Sequence, residues 1–450
     1  MSCMCQRYYD DSQEGTPSHA LARQHARATT PSEVAEVTCQ AAIASLDTTQ
    51  AQSRPINESI VQENCFSIRS GGHSPNPTWS SIGSDGILVD LQKLNSVTVS
   101  GNGSVASVGS GARWGDVYSV LDSHGTSVIG AKDRTVGVGG SILGGGYHHL
   151  PNQFGLAADN VKNFEVVLSN GSIVDANSEQ NSDLFWALKG GGPNFGVVTR
   201  YDLYTVPVHY VWVHINVYSP NDGSNVLAAF DEWQRSAGSD TKSNADIIIS
   251  LDYIVLILVH SEPRAEPLQV FQPFTALQPI EVALPPTNLT LNQLSAVLET
   301  AGFSTPGRLW RKKALPVRQS TGANQIFVLQ HVGQNLIDQA TKNGDNALDI
   351  PQGPQQWWTT SIDWQSAQDD DLVRSVSVDT TEKWAQLAVE RDIGIPFLYM
   401  NDAARDQNPL ASYGSESLAK LKAVAKKYDP RHVFQTLQNG GFLLSRAQKP

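Results

Sequence analysis

Up to residue 208 the chain alternates short β-branched runs with glycine turns, and beyond it the runs lengthen. CFSIRS (65–70) predicts a short buried strand. ILVDL, SVTVS and SVASVGS, between 87 and 110, predict three more, with turns at Lys93–Asn95 and Gly101–Gly103. NFEVVLSNGSIVDA (163–176) predicts a hairpin about Asn170-Gly171. Helical spacing runs through 30–46, where Thr30 caps, Pro31 takes the first helical position and Glu33 completes a capping box. GDVYSVLDSHG (115–125) predicts a helix ending at Gly125, SDLFWALKGGG (182–192) one capped by Ser182, and SESLAKLKAVAKK (415–427) a third. YVWVHINVYS (210–219) alternates strictly, with Val211, Val213, Ile215 and Val217 on one face and Trp212, His214 and Asn216 on the other. That second face reads either as the wall of a ligand cleft or as a solvated surface. IIISLDYIVLILV (247–259) and QIFVLQHV (325–332) read as longer strands, whereas residues 1–30 have no pattern and read as a disordered arm.

Composition narrows the class. A chain of 450 residues exceeds one ordinary core, so two domains are expected. Lys plus Arg at 32 against Asp plus Glu at 44 gives a net charge of −12, which argues against nucleic acid as a partner. All four cysteines (Cys3, Cys5, Cys39, Cys65) precede residue 66 without a C-x-x-C pair, so no metal site is expected. Cys39 and Cys65 are either a disulfide or two thiols. The N-terminus lacks the apolar core of a signal peptide, implying a cytoplasmic protein by default, or a secreted one if the true N-terminus lies upstream. Sequons at Asn57, Asn102, Asn170 and Asn288 weigh weakly toward secretion. The most apolar stretch falls short of the ~20 residues of a spanning helix, so no membrane span is expected.

The chemistry resides in the glycines. Six occur between Gly137 and Gly146, and a second cluster is GGGPNFGVV (190–198). In a helix or strand interior each would lose roughly 0.5–1 kcal/mol relative to Ala, so the run reads instead as a loop whose backbone N–H groups converge on an anion. Val136, Val138, Ile142 and Leu143 within it call for burial. A G-x-G-x-x-G fingerprint in strand–helix context, a P-loop, H-E-x-x-H and G-x-S-x-G are all missing. IRSGGHSPN (68–76) carries a lone histidine behind two glycines that permit close backbone approach.

The ordered series RSGGH (69–73), DLQKLNSV (90–97), VGSGARWGDVYSVL (108–121), VGVGGSILGGG (136–146), LAADNV (156–161), FEVVLSNGSIVDA (164–176), NSDLFWALKGGGPNFGVVT (181–199) and KYDPRHVF (427–434) resembles the berberine bridge enzyme-like FAD-linked oxidases of the vanillyl-alcohol oxidase superfamily. The resemblance implies an α+β, two-domain PCMH-type FAD-binding fold. Residues 31–208 would form the FAD domain, 209–396 an inserted antiparallel-sheet substrate domain, and 397–450 a return segment completing the first. It implies that His73 is joined covalently to the flavin 8α-methyl. Arg69, Ser70, Gly71, Gly72 and Ser74 would flank that anchor. Gly137, Gly139, Gly140, Ser141, Gly144, Gly145 and Gly146, with Gly196, Val197 and Val198, would form the cradle. FLYMNDA (397–403) resembles the family's Tyr-x-Asn-Tyr motif, so Asn401 is expected near the flavin and Tyr399, with a lowered pKa, as the base. Asp402, in place of the second Tyr, reads as a surface residue. Many members add a thioether, but GAKDRTV places Lys132, Asp133 and Arg134 there, implying attachment through His73 alone. The implied activity is oxidation of a small organic metabolite by hydride transfer to flavin N5, with O2 as acceptor, in secondary metabolism. A catalytically silent flavin scaffold and a cyclase without net oxidation are the alternatives.

Overall fold

The computed structural model describes residues 24–36, 65–83, 86–236, 240–265, 268–301, 308–342 and 344–447. Strands β1 (Gln24–Arg27), β2 (Cys65–Arg69) and β3 (Gly86–Asp90) form a parallel sheet in the order β1-β3-β2. The expected disordered arm therefore gives way at Gln24 to a strand, because the edge of β3 offers it a ladder. Strands β4 (Val97–Val99), β5 (Val105–Gly109), β6 (Ser127–Val128), β7 (Val161–Val167), β8 (Ile173–Asn177) and β9 (Val197–Val206) form an antiparallel sheet. Its order is β4-β5-β9-β7-β8, with β6 beside β9. The third sheet contains β10 (Tyr210–Tyr218), β11 (Ser243–Ile249), β12 (Ile254–His260), β13 (Glu281–Thr290), β14 (Asn324–Val332) and β15 (Gln355–Asp363). It is antiparallel throughout, ordered β13-β10-β12-β11-β14-β15.

Local signals account for most of these elements. Glu33 N donates to Thr30 Oγ1 at 3.2 Å while Thr30 N donates back to Glu33 Oε2 at 3.3 Å, so the capping box closes. The expected continuation of that helix to residue 46, with Cys39, lies outside the described residues. The β7–β8 hairpin turns through Gly171 at φ 80°. Three expectations give way. IIISLDYIVLILV is two strands, since Ser250 Oγ accepts from both Asp252 N and Tyr253 N at 2.6 Å and folds the chain into a turn. The cap of the helix Ser182–Leu188 is Asn181, at φ 49°, with Ser182 as the first helical residue. Inside the glycine run, Val138–Leu143 forms a short helix, because Val138 and Ile142 fall one turn apart and are both fully buried.

A single core joins the second and third sheets. It extends from Phe164 and Tyr201 through Val211, Val213, Ile215, Ile257 and Trp357 to Tyr399, Leu421 and Leu444. The face of β10 carrying Trp212 belongs to a separate core, in which Trp212 stacks on Phe271 at 5.6 Å and Trp233 packs beside them. The polar-aromatic face of β10 therefore turns away from the second sheet. Both faces of the strand are covered, and the valine face meets Tyr399.

The return segment comes back to the parallel sheet. Asp429 accepts from Val433 N and Phe434 N at 2.9 Å each, which locks the YDPRHVF turn. Fully buried Phe434 then lies edge-on to Phe66 of β2 with ring centroids 6.0 Å apart. Phe434→Ala is expected to cost about 3–5 kcal/mol in urea denaturation, the usual range for deleting a core aromatic.

Candidate functional site

The site begins where β2 ends. Arg69 forms an ion pair with fully buried Asp90 at 2.7 Å, directly across the β2–β3 ladder. The pair supports the strand end. Ser70 Oγ donates to Ser110 O at 2.6 Å and accepts from Gly139 N at 3.2 Å. Beyond it the two glycine segments touch. A Cβ on Gly71 would lie 2.5 Å from Gly137 N and Cα, and one on Gly137 would lie 2.3 Å from Gly71 N. Neither position admits a side chain. Arg113 staples the contact, donating to Gly71 O at 2.9 Å through Nη2 and to Thr135 O through Nη1.

This junction presents His73. Gly72, at φ 69°, lifts the chain so that Gly72, His73 and Ser74 are all exposed. His73 Nε2 lies 3.0 Å from Thr135 Oγ1 and 3.8 Å from Asp133 Oδ2. Across from Gly72, Gly140 is exposed and its missing Cβ would meet nothing within 4 Å. Tyr201 donates to Gly139 O at 2.9 Å, and Ser141 donates to Gly137 O at 2.9 Å while accepting from Trp114 Nε1 at 2.8 Å. Exposed backbone thus lies over a rigid support, as a cradle for a phosphate-bearing group requires. Val197 and Val198 turn buried side chains into two different cores, and a Cβ on Gly196 would lie 2.6 Å from Val166 Cγ1 and 2.7 Å from Val167 O, so this segment too is closely packed backbone.

The second half of the run meets FLYMNDA. A Cβ on Gly144 would lie 2.0 Å from Asn401 Oδ1, so glycine is what lets Asn401 in. Asn401 Nδ2 donates to Ser141 O at 2.9 Å and to Tyr399 OH at 3.1 Å. Gly145 and Gly146, at φ 117° and 81°, carry the chain to Tyr147, whose N–H donates to Tyr399 OH at 2.8 Å. The lowered pKa expected of Tyr399 is not found. Burial foremost, then the Asp402 charge, pushes its phenol well above the usual tyrosine value. A phenol held protonated is a poor base.

Asp402 is better suited. It is half-buried, burial raises its carboxyl to about 6, and the charge of Lys132 opposes that rise. Lys132 Nζ lies 2.6 Å from Asp246 Oδ1 and 4.4 Å from the centre of the Tyr147 ring. His149 Nδ1 lies 4.0 Å from Asp246 Oδ2. Burial, with the Lys132 charge adding to it, takes His148 down to about 3, and His149 is driven well down too, so both rings are neutral. Asp246 lies in a row running straight across the third sheet, Ile215–Ile257–Asp246–Gln330–Trp357. At its end Trp357 stacks on Tyr399 with centroids 4.8 Å apart.

Sequence reasoning missed three of these residues. Lys132 and Asp246 are 114 positions apart, and only the fold pairs them. Asn76 is the third. Its Nδ2 donates to Ala403 O at 3.3 Å and its Oδ1 accepts from Arg405 N at 2.8 Å, tying the His73 loop to the Asp402 loop. Among the described residues no group of His, Cys, Asp and Glu could hold a metal ion, and no helix is long and apolar enough to cross a membrane.

Comparison with known proteins agrees with this geometry. A family described as an FAD binding domain matches residues 41–177. An FAD-dependent monooxygenase of Arthrobotrys oligospora is 35% identical over 404 residues, covering 85% of this chain and 78% of the relative. The fold matches Physcomitrella patens BBE-like 1 at a TM-score of 0.70, with 21% identity and 94% of each chain covered. It also matches glucooligosaccharide oxidase from Acremonium strictum, which has a 6-S-cysteinyl, 8α-N1-histidyl FAD, at a TM-score of 0.69 with 20% identity and 92% of each chain covered. These likenesses support FAD as the cofactor of this chain. The chain is a member of the berberine bridge enzyme-like family of FAD-linked oxidoreductases.

Proposed function

We propose that the protein oxidises a small organic metabolite at an FAD tethered through His73 alone, with Asp402 as the base and dioxygen as the final electron acceptor. One observation carries this reading: a single strip, residues 132–147, meets His73 through Thr135 and meets Asn401 and Tyr399, the neighbours of Asp402, through Ser141 and Tyr147. The cradle fits a dinucleotide, since Gly71 and Gly137 leave room only for backbone while Gly72 and Gly140 are exposed beside them. The bound flavin supplies the electron-accepting chemistry. Support for a single tether is the absence of a thiol near position 133, where Asp133 stands. The glucooligosaccharide oxidase named above carries both a cysteinyl and a histidyl link.

The remaining chemistry falls to this chain's own side chains. Asp402 takes a proton from the substrate, and its carboxyl near 6 suits that task at neutral pH. Lys132, held by Asp246, keeps a positive charge where negative charge moves from carboxylate to substrate. Tyr399 and Asn401 fix the loop that carries Asp402, and the Val213, Ile215 and Trp357 face excludes water. An aromatic or otherwise apolar metabolite suits such walls.

Two outcomes follow. The purified protein is expected to keep its flavin after denaturation in acid or detergent, and His73→Ala to release it; release from the native sequence would refute the tether. Asp402→Asn is expected to slow flavin reduction by substrate by ~10²–10⁴-fold, the span for a lost general base, and Tyr399→Phe by much less. In the native enzyme the rate should fall as pH drops below about 6, because protonation removes the base. Asp402→Asn should abolish that acid limb in stopped-flow traces, and an unchanged limb would acquit Asp402.

A further inference from the structure

The residues that stand in place of a second tether have contacts of their own. Thr135 Oγ1 donates to Asp133 Oδ1 at 2.7 Å, and Thr135 N donates to the same oxygen at 2.7 Å. A threonine hydroxyl has one proton, and a carboxylate can only accept. With that proton committed to Asp133, the 3.0 Å contact between Thr135 Oγ1 and His73 Nε2 requires Nε2–H as the donor. The tautomer of His73 is thereby set: Nε2 carries the hydrogen and Nδ1 the lone pair. Arg113 holds Thr135 O and Gly71 O together, so the relay and the histidine loop share one support.

We propose that Asp133 and Thr135 are positioning residues for covalent attachment, directing the flavin to His73 Nδ1 and withdrawing the Nε2 proton as the bond forms. This rests on the reading of His73 as the anchor. The Nδ1–carbon bond forms at the flavin 8α carbon, one C–H bond breaks there, and its electron pair passes into the ring. The Nε2 proton leaves through the Thr135 hydroxyl to the Asp133 carboxylate. Dioxygen then accepts the electron pair with the two released protons as hydrogen peroxide, leaving an oxidised, tethered cofactor and a neutral imidazole. The segment 132–134, standing where many members bear a second bond to the flavin, thus supplies the support of the first.

The test follows tethering rather than turnover. Proteins purified as expressed are incubated with FAD, and in-gel flavin fluorescence after detergent denaturation is followed in time; native visible spectra report total bound FAD. Thr135→Val and Asp133→Asn are each expected to tether about 10–100-fold more slowly while still binding FAD, the loss usual when the hydrogen-bond partner orienting a functional histidine is removed. Thr135→Ser, which keeps the hydroxyl, should restore the rate. Peptide mapping should place the link on Nδ1. Tethering at the native rate in Thr135→Val, or a Thr135→Ser variant no better than Thr135→Val, would overturn the relay. Should Thr135→Val fail to bind FAD, Asp133→Asn decides: native-rate tethering there overturns the relay, and slow tethering with FAD bound supports it. Failure of the native sequence to tether at all would instead remove the anchor on which the relay depends.

Discussion

The contact between the backbones of Gly71 and Gly137 is the constraint from which the site is built. At 2.3–2.5 Å from a notional Cβ, it leaves no room for any side chain and so sets the spacing of two segments 66 positions apart (137 − 71). Ser70, Arg113 and Ser141 hydrogen-bond around it, each satisfying a backbone group that such close packing would otherwise strand. One consequence is that His73 and Thr135, the residues just outside the junction, are in register with each other. A second is that the strip continues in a fixed direction toward Asn401, where Gly144 repeats the same device against a side chain instead of a backbone.

The electrostatics of the reaction centre depend on one buried ion pair. Asp246 is 2% exposed, and an unpaired carboxylate at that depth would be costly. Lys132 compensates it and at the same time stabilises the charged form of Asp402 and disfavours protonation of the two histidines. Burial is the main influence on all three neighbours, and the one ammonium biases each of them. The pair's worth is organisational: it holds a positive charge beside a carboxyl and two rings whose protonation burial has already displaced.

Much of this was legible in the sequence wherever the signal was local. The capping box at Thr30, the hairpin at Asn170-Gly171, the alternation of β10 and the close approach implied by R-S-G-G-H all depend on neighbours within a few residues. What was not legible depended on layers. Alternation in β10 separates two faces but cannot say which of two covering layers each one meets, and here both are buried. Glycine content argued against a helix at Val138–Leu143, yet tertiary burial of Val138 and Ile142 outweighs that propensity. Asp402 looked like surface because nothing adjacent in the chain signals Lys132. Tyr399 had the reverse fault: its motif suggested a base, and its burial makes it a hydrogen-bond hub.

The shared core has a mechanical consequence. Side chains of the second and third sheets interdigitate without an apolar seam, from Phe164 to Val213 and Ile257. Swinging one sheet away from the other would wet this surface at about 25 cal/mol per Å², so hinge-bending is not an available gait for this enzyme. At the edge of this body the His73 and Asp402 loops are laced together by the amide of Asn76. The two sheets form one body, and what freedom the site has is left to the loops at its edge.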